Sequence, residues 1–522
     1  MRFKQILSAA MLCSISVLAC AGAAFTDTTG IPEQADIDYA VSRGLFNGTD
    51  ETHFSPGEPL TRAQAVAVLA RQARVQGLPA DTFADVPDTS YYSNALGWAC
   101  ESGIIQGTSA TTFEPDRPVT HAELAAILTR YQTWLGREDP TFETSGSGAV
   151  TRAQAAAYFT ALDHALLDRD TTLLTHNAAD GVTLTGKLDL PAGSEPVDRL
   201  VLFINGSGPN TYDNKRQYGE QTFNYFDLFA EQFGMRETGF FRWSTRGVSM
   251  GDQPPSFDTI DEAVYQTYLP STSVSDIGEW ITQLRQNPRL QDADIWLLGW
   301  SEGTIIAPLA AKAYPDEISG LLLAGYCNDR MDVIFDWQQS GEPSMIFYRQ
   351  YFDTDGDGSI SEAEYTADPY NIVTSVLADT PFADIDADSD GAITAADFAI
   401  LLEPGKQAFY DAVARGDDAW LAENYSVRLT SGWFRAHQAL QPNSEVLPTL
   451  DLPIHIFHGT ADTNCSVEGV YAIRDQFAAL GKTNLTTHVY GGYDHNLLYD
   501  LYVINGAVPP AFVDLFQSIT TG

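Results

Sequence analysis

The chain is short of basic residues, short of cysteine, and carries no long apolar run beyond its first two dozen residues. Each shortage excludes something. Against 69 Asp and Glu it has only 29 Lys and Arg, a formal net charge of −40. Such a surface repels phosphates, so nucleic acid and anionic membranes are disfavoured as partners. Of five cysteines, Cys13 and Cys20 fall in the N-terminal segment, leaving Cys100, Cys327 and Cys465. Three scattered cysteines make neither a disulfide framework nor a zinc site. Cys327 and Cys465 both stand near expected strand ends, open either to pairing or to remaining free buried thiols. After residue 24 no stretch is apolar for long enough to span a membrane.

What is present is length and apolar content. The 522 residues allow two or more domains, and 44% hydrophobic residues support sizeable cores. Residues 1–24 read as a secretory signal peptide. Arg2 and Lys4 precede an apolar run, and Ala21-Gly22-Ala23 suits a signal-peptidase site. The segment Val17–Cys20 also weakly resembles a lipobox, with Leu18 unusual for its position. The expectation is a secreted protein of the cell surface.

Three residues carry a reaction class. Ser301 lies in IWLLGWSEGTIIAPLAA, an apolar strand run, a Gly-x-Ser-x-Gly turn and a helix-like run. Asp462 ends the strand-like PIHIFHGTAD, and His495 lies in the later loop VYGGYDHN. Serine, aspartate and histidine in that order, with strand-turn-helix around the serine, is the nucleophile-elbow signature. A serine hydroxyl needs an adjacent base, and a carboxylate must hold that base in the right tautomer. A second Gly-x-Ser-x-Gly, Gly247 to Gly251, has no helical run after it, so Ser249 reads as a loop serine. His458 precedes Asp462 and reads as a residue shaping that turn. The oxyanion donors are expected at the backbone N–H of Glu302 and in the loop Asn205–Pro209, near Ser207.

Two acidic loops lie between Ser301 and Asp462, which are separated by 160 residues, more than a bare α/β core needs there. The first, 353–364, sets Asp353, Asp355, Asp357 and Glu364 at positions 1, 3, 5 and 12. The second, 386–397, sets Asp386, Asp388, Asp390 and Asp397 likewise. Both have glycine at position 6, and Ser359 and Ala392 would offer backbone carbonyls at position 7. This is the twelve-residue EF-hand spacing, which wraps Ca2+ in oxygen. Ile360 and Ile393 suit the short strands that pair two such loops. The second loop also resembles a dockerin repeat, but its internal position favours a structural role.

Residues 25–165 contain an internal repeat. Phe25-Thr-Asp27 recurs as Phe83-Ala-Asp85, and Gly44–Gly48 as Gly103–Gly107. Thr61-Arg-Ala-Gln64 recurs as Thr120-His-Ala-Glu123 and as Thr151-Arg-Ala-Gln154. The first two units are offset by 58 or 59 residues and the third by only 31, so its front half is reduced. A threonine with Gln or Glu three residues on is a capping box.

Two resemblances follow from these motifs. The repeat resembles the S-layer homology domain, which implies a module binding pyruvylated secondary cell-wall polysaccharide. By that match Arg62 and Arg152 would meet the pyruvyl carboxylate through charge-assisted bonds, while His121 replaces the arginine in the second unit. Residues from about 170 resemble an α/β-hydrolase of the esterase and serine-aminopeptidase type. NGSGP (205–209), RWSTRG (242–247) and GWSEG (299–303) stand where that group commonly has HGSGP, RYDKRG and GHSEG. Asn205, Ser244 and Trp300 are the departures, and none removes a triad member.

The implied architecture is α/β: a hydrolase sheet over 166–522 with a helical cap insertion at 328–448, preceded by an all-α repeat domain over 25–165. The implied function is a wall-anchored serine hydrolase cleaving ester or related acyl bonds, with calcium stabilising the cap. A surface peptidase of the same fold is the alternative. It would need a group for the peptide's charged end, such as Asp336 or Glu342 for an amino terminus. A non-catalytic calcium-dependent wall-binding protein is a further reading, against which the whole triad argues. The cap is rich in aromatics, including Trp337, Tyr348, Phe352, Trp420, Trp433 and Phe434, so an apolar acyl group is compatible with it.

Overall fold

The computed structural model describes residues 25–77, 79, 83–138 and 140–520. The expected signal peptide and lipobox lie outside the described residues.

The N-terminal module is all-helical. Helices Arg62–Ala73, His121–Trp134 and Arg152–Leu167 each begin on a threonine (Thr61, Thr120, Thr151) that forms the full capping box expected from the repeat. Each box satisfies two otherwise orphaned amides. The residues just before the caps form a closed ring. Leu60 N–H donates to Val150 C=O, Val150 N–H to Val119 C=O, and Val119 N–H to Leu60 C=O, at 2.8–2.9 Å. The third unit has no helix over 136–150 among the described residues, the reduction the repeat spacing predicts. It still supplies one third of this ring. Arg74 ties the module to the rest of the chain through Glu231 at 3.2 Å, and Val508 N–H donates to Arg74 C=O.

The C-terminal part is built on eight strands: β1 (Arg169–Asn177), β2 (Thr183–Pro191), β3 (Arg199–Ile204), β4 (Thr238–Trp243), β5 (Asp294–Trp300), β6 (Gly320–Ala324), β7 (Ile454–Gly459) and β8 (Leu485–Tyr490). Their spatial order is β1-β2-β4-β3-β5-β6-β7-β8. The pairs β1–β2 and β2–β4 are antiparallel, and every later pair is parallel. That is the α/β-hydrolase order. The central strands LVLFI, IWLLGW and GLLLA are buried throughout, as a parallel sheet covered on both faces requires. Trp280, Ile281 and Leu284 cover one face, and Phe229, Phe233, Phe512 and Phe516 cover the other.

Between β6 and β7 lies a largely helical insertion, the cap. It divides into two lobes with separate cores. One holds both acidic loops, joined by the antiparallel pair Ile360–Ser361 and Ala392–Ile393 with Ile360 opposite Ile393. It is packed by Met345, Tyr348, Phe352, Tyr365 and Phe398. The other lobe packs Phe335, Phe409, Trp433 and Phe434 onto Tyr265 and Tyr268 of the hydrolase body. The cap aromatics therefore serve different ends: Tyr348 and Phe352 are core of the loop lobe, while Trp433 and Phe434 line the cleft that holds Ser301.

Candidate active site

Ser301 sits between β5 and the helix Gly303–Ala313 with φ of +54°. A non-glycine residue held there carries strain of about 1–3 kcal/mol, and persists only where its surroundings over-determine it. They do so here. A Cβ on Gly299 would lie 2.3 Å from Gly303 O, and one on Gly303 would lie 2.2 Å from Ile204 O. The two glycines let strand, turn and helix close. Ser301 N–H donates to Ala324 O at 2.9 Å, and Ser301 O accepts from Thr304 Oγ1 at 2.7 Å. Ser249, by contrast, stands in the hairpin strand Val248–Met250, with its hydroxyl against Thr259 Oγ1.

Asp462 follows β7 and is buried. Its Oδ2 accepts from His495 Nδ1 at 2.7 Å, and its Oδ1 accepts from the N–H groups of Asn464 and Cys465 at 2.7 and 2.9 Å. Burial works against the charged form of each partner, yet their mutual attraction and hydrogen bond prevail. His495 is held above its ordinary 6.5 and Asp462 below its ordinary 3.8. The His495 ring lies over Gly325, where a Cβ would come within 2.7 Å of Cε1. His458 shapes the turn, as its place in the sequence predicts. Its Nδ1 accepts from Tyr326 N–H and its Nε2 bonds Cys465 O. Among the described residues no hydrogen bond joins Ser301 Oγ to His495, a contact that often tightens only with substrate.

Ser301, His495 and Ser207 line one cleft of about 280 Å³, with Trp433 and Phe434 from the cap. A Cβ on Gly206 would lie 3.2 Å from Ser301 Cβ, a tight contact that marks how closely this loop approaches the serine. Asn210 Nδ2 holds the loop by donating to Gly206 O and Gly208 O, at 3.0 and 3.1 Å. Asn205, in the usual histidine's place, donates to Trp243 O.

Sequence reasoning missed the side chain of Glu302. It is 1% exposed and accepts from Trp433 Nε1 at 3.0 Å and His437 Nε2 at 2.9 Å, both on the cap helix Ser431–Gln438, and from Tyr268 Oη. A carboxylate inside an elbow of apolar neighbours was the available signal. Cys327 and Cys465, which both line the cleft, are free, with their sulfurs in contact at 3.1 Å.

In the first acidic loop Asp353, Asp355 and Glu364 converge to within 4.8 Å. In the second Asp386, Asp388 and Asp390 do so. Asp357 and Asp397 lie outside these clusters. Asp357 accepts from Ser359 N–H, and Asp397 from the N–H groups of Ala387 and Thr394. Ser359 directly precedes the short strand Ile360–Ser361, and Ala392 opens the strand Ala392–Ile393.

Arg62 and Arg152 are 5% exposed and related by the repeat. Arg62 donates to Phe113 O and Gln106 O and lies 4.4 Å from the Phe113 ring centre. Arg152 donates to Phe54 O and Asn47 O and lies 4.7 Å from the Phe54 ring. Each thus clamps the loop of a neighbouring unit, with Nη1 holding no protein partner among the described residues. His121, in the third equivalent position, lies edge-on to Tyr158 instead.

Residues 24–66 and 82–125 match the S-layer homology domain family, and residues 350–367 match the EF hand family. The chain is 32% identical over 137 residues to the S-layer protein sap of Bacillus anthracis, and 28% identical over 131 residues to the surface-layer 125 kDa protein of Lysinibacillus sphaericus. Each match takes in 24% of this chain but only 16% and 11% of the relatives, respectively. The S-layer homology region marks a secreted protein of the cell surface, anchored at the wall. Solved structures similar to this chain include a carboxyl esterase from Bacillus coagulans (TM-score 0.39, 15% identity, 67% of this chain and 99% of that one). Another is the acylaminoacyl peptidase of Pyrococcus horikoshii (TM-score 0.36, 12% identity, 70% of this chain and 42% of that one). At such scores no argument about reaction rests on them, and the strand order itself carries the fold.

Proposed function

We propose that this chain is a wall-anchored serine hydrolase that cleaves esters or related acyl bonds. The observation that carries the reading is the 2.7 Å bond from His495 Nδ1 to buried Asp462, beside a left-handed serine on a strand-to-helix elbow in the same cleft. His495 Nε2 takes the Ser301 Oγ proton as Oγ attacks the acyl carbon. The oxyanion accepts from Glu302 N–H and from the loop at Ser207. His495 then protonates the leaving oxygen or nitrogen as that bond breaks. Water attacks the acyl-serine, His495 again takes and returns the proton, and the free acid departs.

The reading divides the chain into a signal peptide (1–24), wall module (25–165) and hydrolase (166–522) with its inserted cap (328–448). Both acidic loops fit Ca2+, since each gathers three carboxylates around glycine turns on a shared two-stranded scaffold. Asp353, Asp355 and Glu364, and Asp386, Asp388 and Asp390, would hold the ions, which would neutralise repelling carboxylates and order the loop lobe. Asp357, Asp397 and the carbonyls of Ser359 and Ala392 complete the loops by spacing. Arg62 and Arg152, each through its unengaged Nη1, are the proposed contacts to wall polysaccharide.

The aminopeptidase alternative is disfavoured. Asp336 is taken up by Lys406 and Tyr410, Glu342 by Arg349, and neither lines the cleft. A fluorophosphonate probe tests the catalytic reading. A single adduct located on Ser301 by mass spectrometry is expected. Labelling elsewhere, or none on folded protein, would remove the reading.

A further inference from the structure

The chain carries 69 acidic residues, yet among the described residues no aspartate or glutamate lines the cleft around Ser301. Its polar lining is amide and hydroxyl, including Asn210, Asn214, Gln338 and Asn464, with one permanent charge, Arg216. Several other cations of this part of the molecule are matched by carboxylates. Lys187 meets Asp213 at 2.7 Å, Arg246 meets Asp276 at 2.6 Å, and Arg242 pairs with Asp189. Arg216 forms no ion pair among the described residues. Asp500 feels its charge without bonding it.

The side chain is nonetheless held in place. It comes from the hairpin strand Lys215–Tyr218, its guanidinium carbon lies 4.4 Å from the Tyr225 ring centre, and Nε reaches Asn214 Oδ1 at 3.4 Å. Stacking and one donor fix the plane of the fork, leaving both terminal nitrogens for a ligand. A half-buried guanidinium with no carboxylate in ion-pair contact among the described residues, in a cleft whose lining holds no acid among them, is a site for an anion. The planar fork matches a carboxylate.

Resting on the hydrolase reading above, we propose that Arg216 selects substrates bearing a carboxylate near the scissile acyl bond. The substrate class is then a carboxylate-bearing ester or amide, not a neutral fatty ester and not a peptide recognised by its ammonium end. Arg216 is a specificity residue that touches the substrate away from the reacting atoms.

The test uses the full chain with calcium. The ratio of kcat/KM for 4-nitrophenyl monoglutarate to that for 4-nitrophenyl valerate places the carboxylate on the acyl side. The valerate ester of 3-hydroxybenzoate against phenyl valerate places it on the alcohol side. One of the two ratios should favour the acid in wild type. Arg216→Gln should lower that ratio by about 10- to 100-fold, the scale of a lost charge-assisted bond. Arg216→Lys should keep part of it, and Arg216→Glu should invert it. Ratios that Arg216→Gln leaves unchanged overturn the proposal. Calorimetric binding of glutarate to the Ser301→Ala protein, weakened by Arg216→Gln, reads the carboxylate site without turnover. No glutarate binding together with ordinary hydrolysis of valerate would sink the site and spare the hydrolase. Glutarate binding without hydrolysis of any ester would do the reverse.

Discussion

Glu302 holds the cap to the elbow, and removing its charge should be felt at both. Its carboxylate receives three donors in a buried setting, Trp433 Nε1, His437 Nε2 and Tyr268 Oη. The two oxygens lie one residue from Ser301, on the residue whose backbone N–H is the proposed oxyanion donor. In Glu302→Gln the amide keeps the shape but presents NH2 where an acceptor stood. With Oε1 kept toward Trp433 and His437, the NH2 meets Tyr268 Oη, whose hydroxyl must turn to accept, and all three bonds lose their charge assistance. An unmade buried bond costs about 1–3 kcal/mol, and the loss of an uncompensated buried partner set, as in Glu302→Ala, about 3–5 kcal/mol. A double-mutant cycle with Trp433→Phe isolates the contact. If Glu302 Oε1 and Trp433 Nε1 share a bond, the second substitution should cost less in the Glu302→Ala background, with coupling of about 0.5–3 kcal/mol. Urea unfolding followed by tryptophan fluorescence measures it. Additive effects, or a Glu302→Gln protein as stable as wild type, would refute the clamp.

Other outcomes follow from the same geometry. Because His495 is held above 6.5 and must be neutral to act as base, the acid limb of kcat/KM should lie above pH 6.5. In Asp462→Asn the raising influence is gone while burial stays, so the limb should move below 6.5 and kcat should fall by about 10⁴-fold. An unmoved limb in the pH–rate profile contradicts the assignment. Chelation with EGTA should lower the melting temperature of the hydrolase part in scanning calorimetry. A site at 100 times its Kd contributes about 2.7 kcal/mol, and identical traces with and without chelator would exclude calcium from the cap's stability. Arg152→Ala loses bonds to Phe54 O and Asn47 O and should destabilise the N-terminal module by on the order of 3 kcal/mol. Arg152→Lys should weaken co-sedimentation with purified cell wall, and unimpaired co-sedimentation would count against its proposed contact.

The positions of Ser301, Asp462 and His495 were legible because each follows a strand, so local sequence marks the place. The acidic loops were legible for a similar reason, since metal spacing is a twelve-residue signal. The reduced third repeat was legible too, but not its part in the ring of Leu60, Val119 and Val150, which depends on backbone groups that carry no side-chain mark. Glu302 was read only for its N–H. Its partners lie 34, 131 and 135 residues away, and nothing local in the sequence ties a carboxylate to donors so distant. Arg216 was hidden likewise: on a short hairpin it looks like any solvated arginine, and only the tertiary fold shows that the cleft it enters is lined by no acid among the described residues. The repeat arginines were read as facing a ligand. Burial commits most of each fork to loop carbonyls, which a motif cannot reveal.

The most direct test of the central claim is turnover of a chain-length series of 4-nitrophenyl esters by the full chain in calcium, with Ser301→Ala beside it. The account predicts turnover by wild type that Ser301→Ala abolishes. Hydrolysis that survives in Ser301→Ala, or none from folded, calcium-loaded wild type, would contradict it.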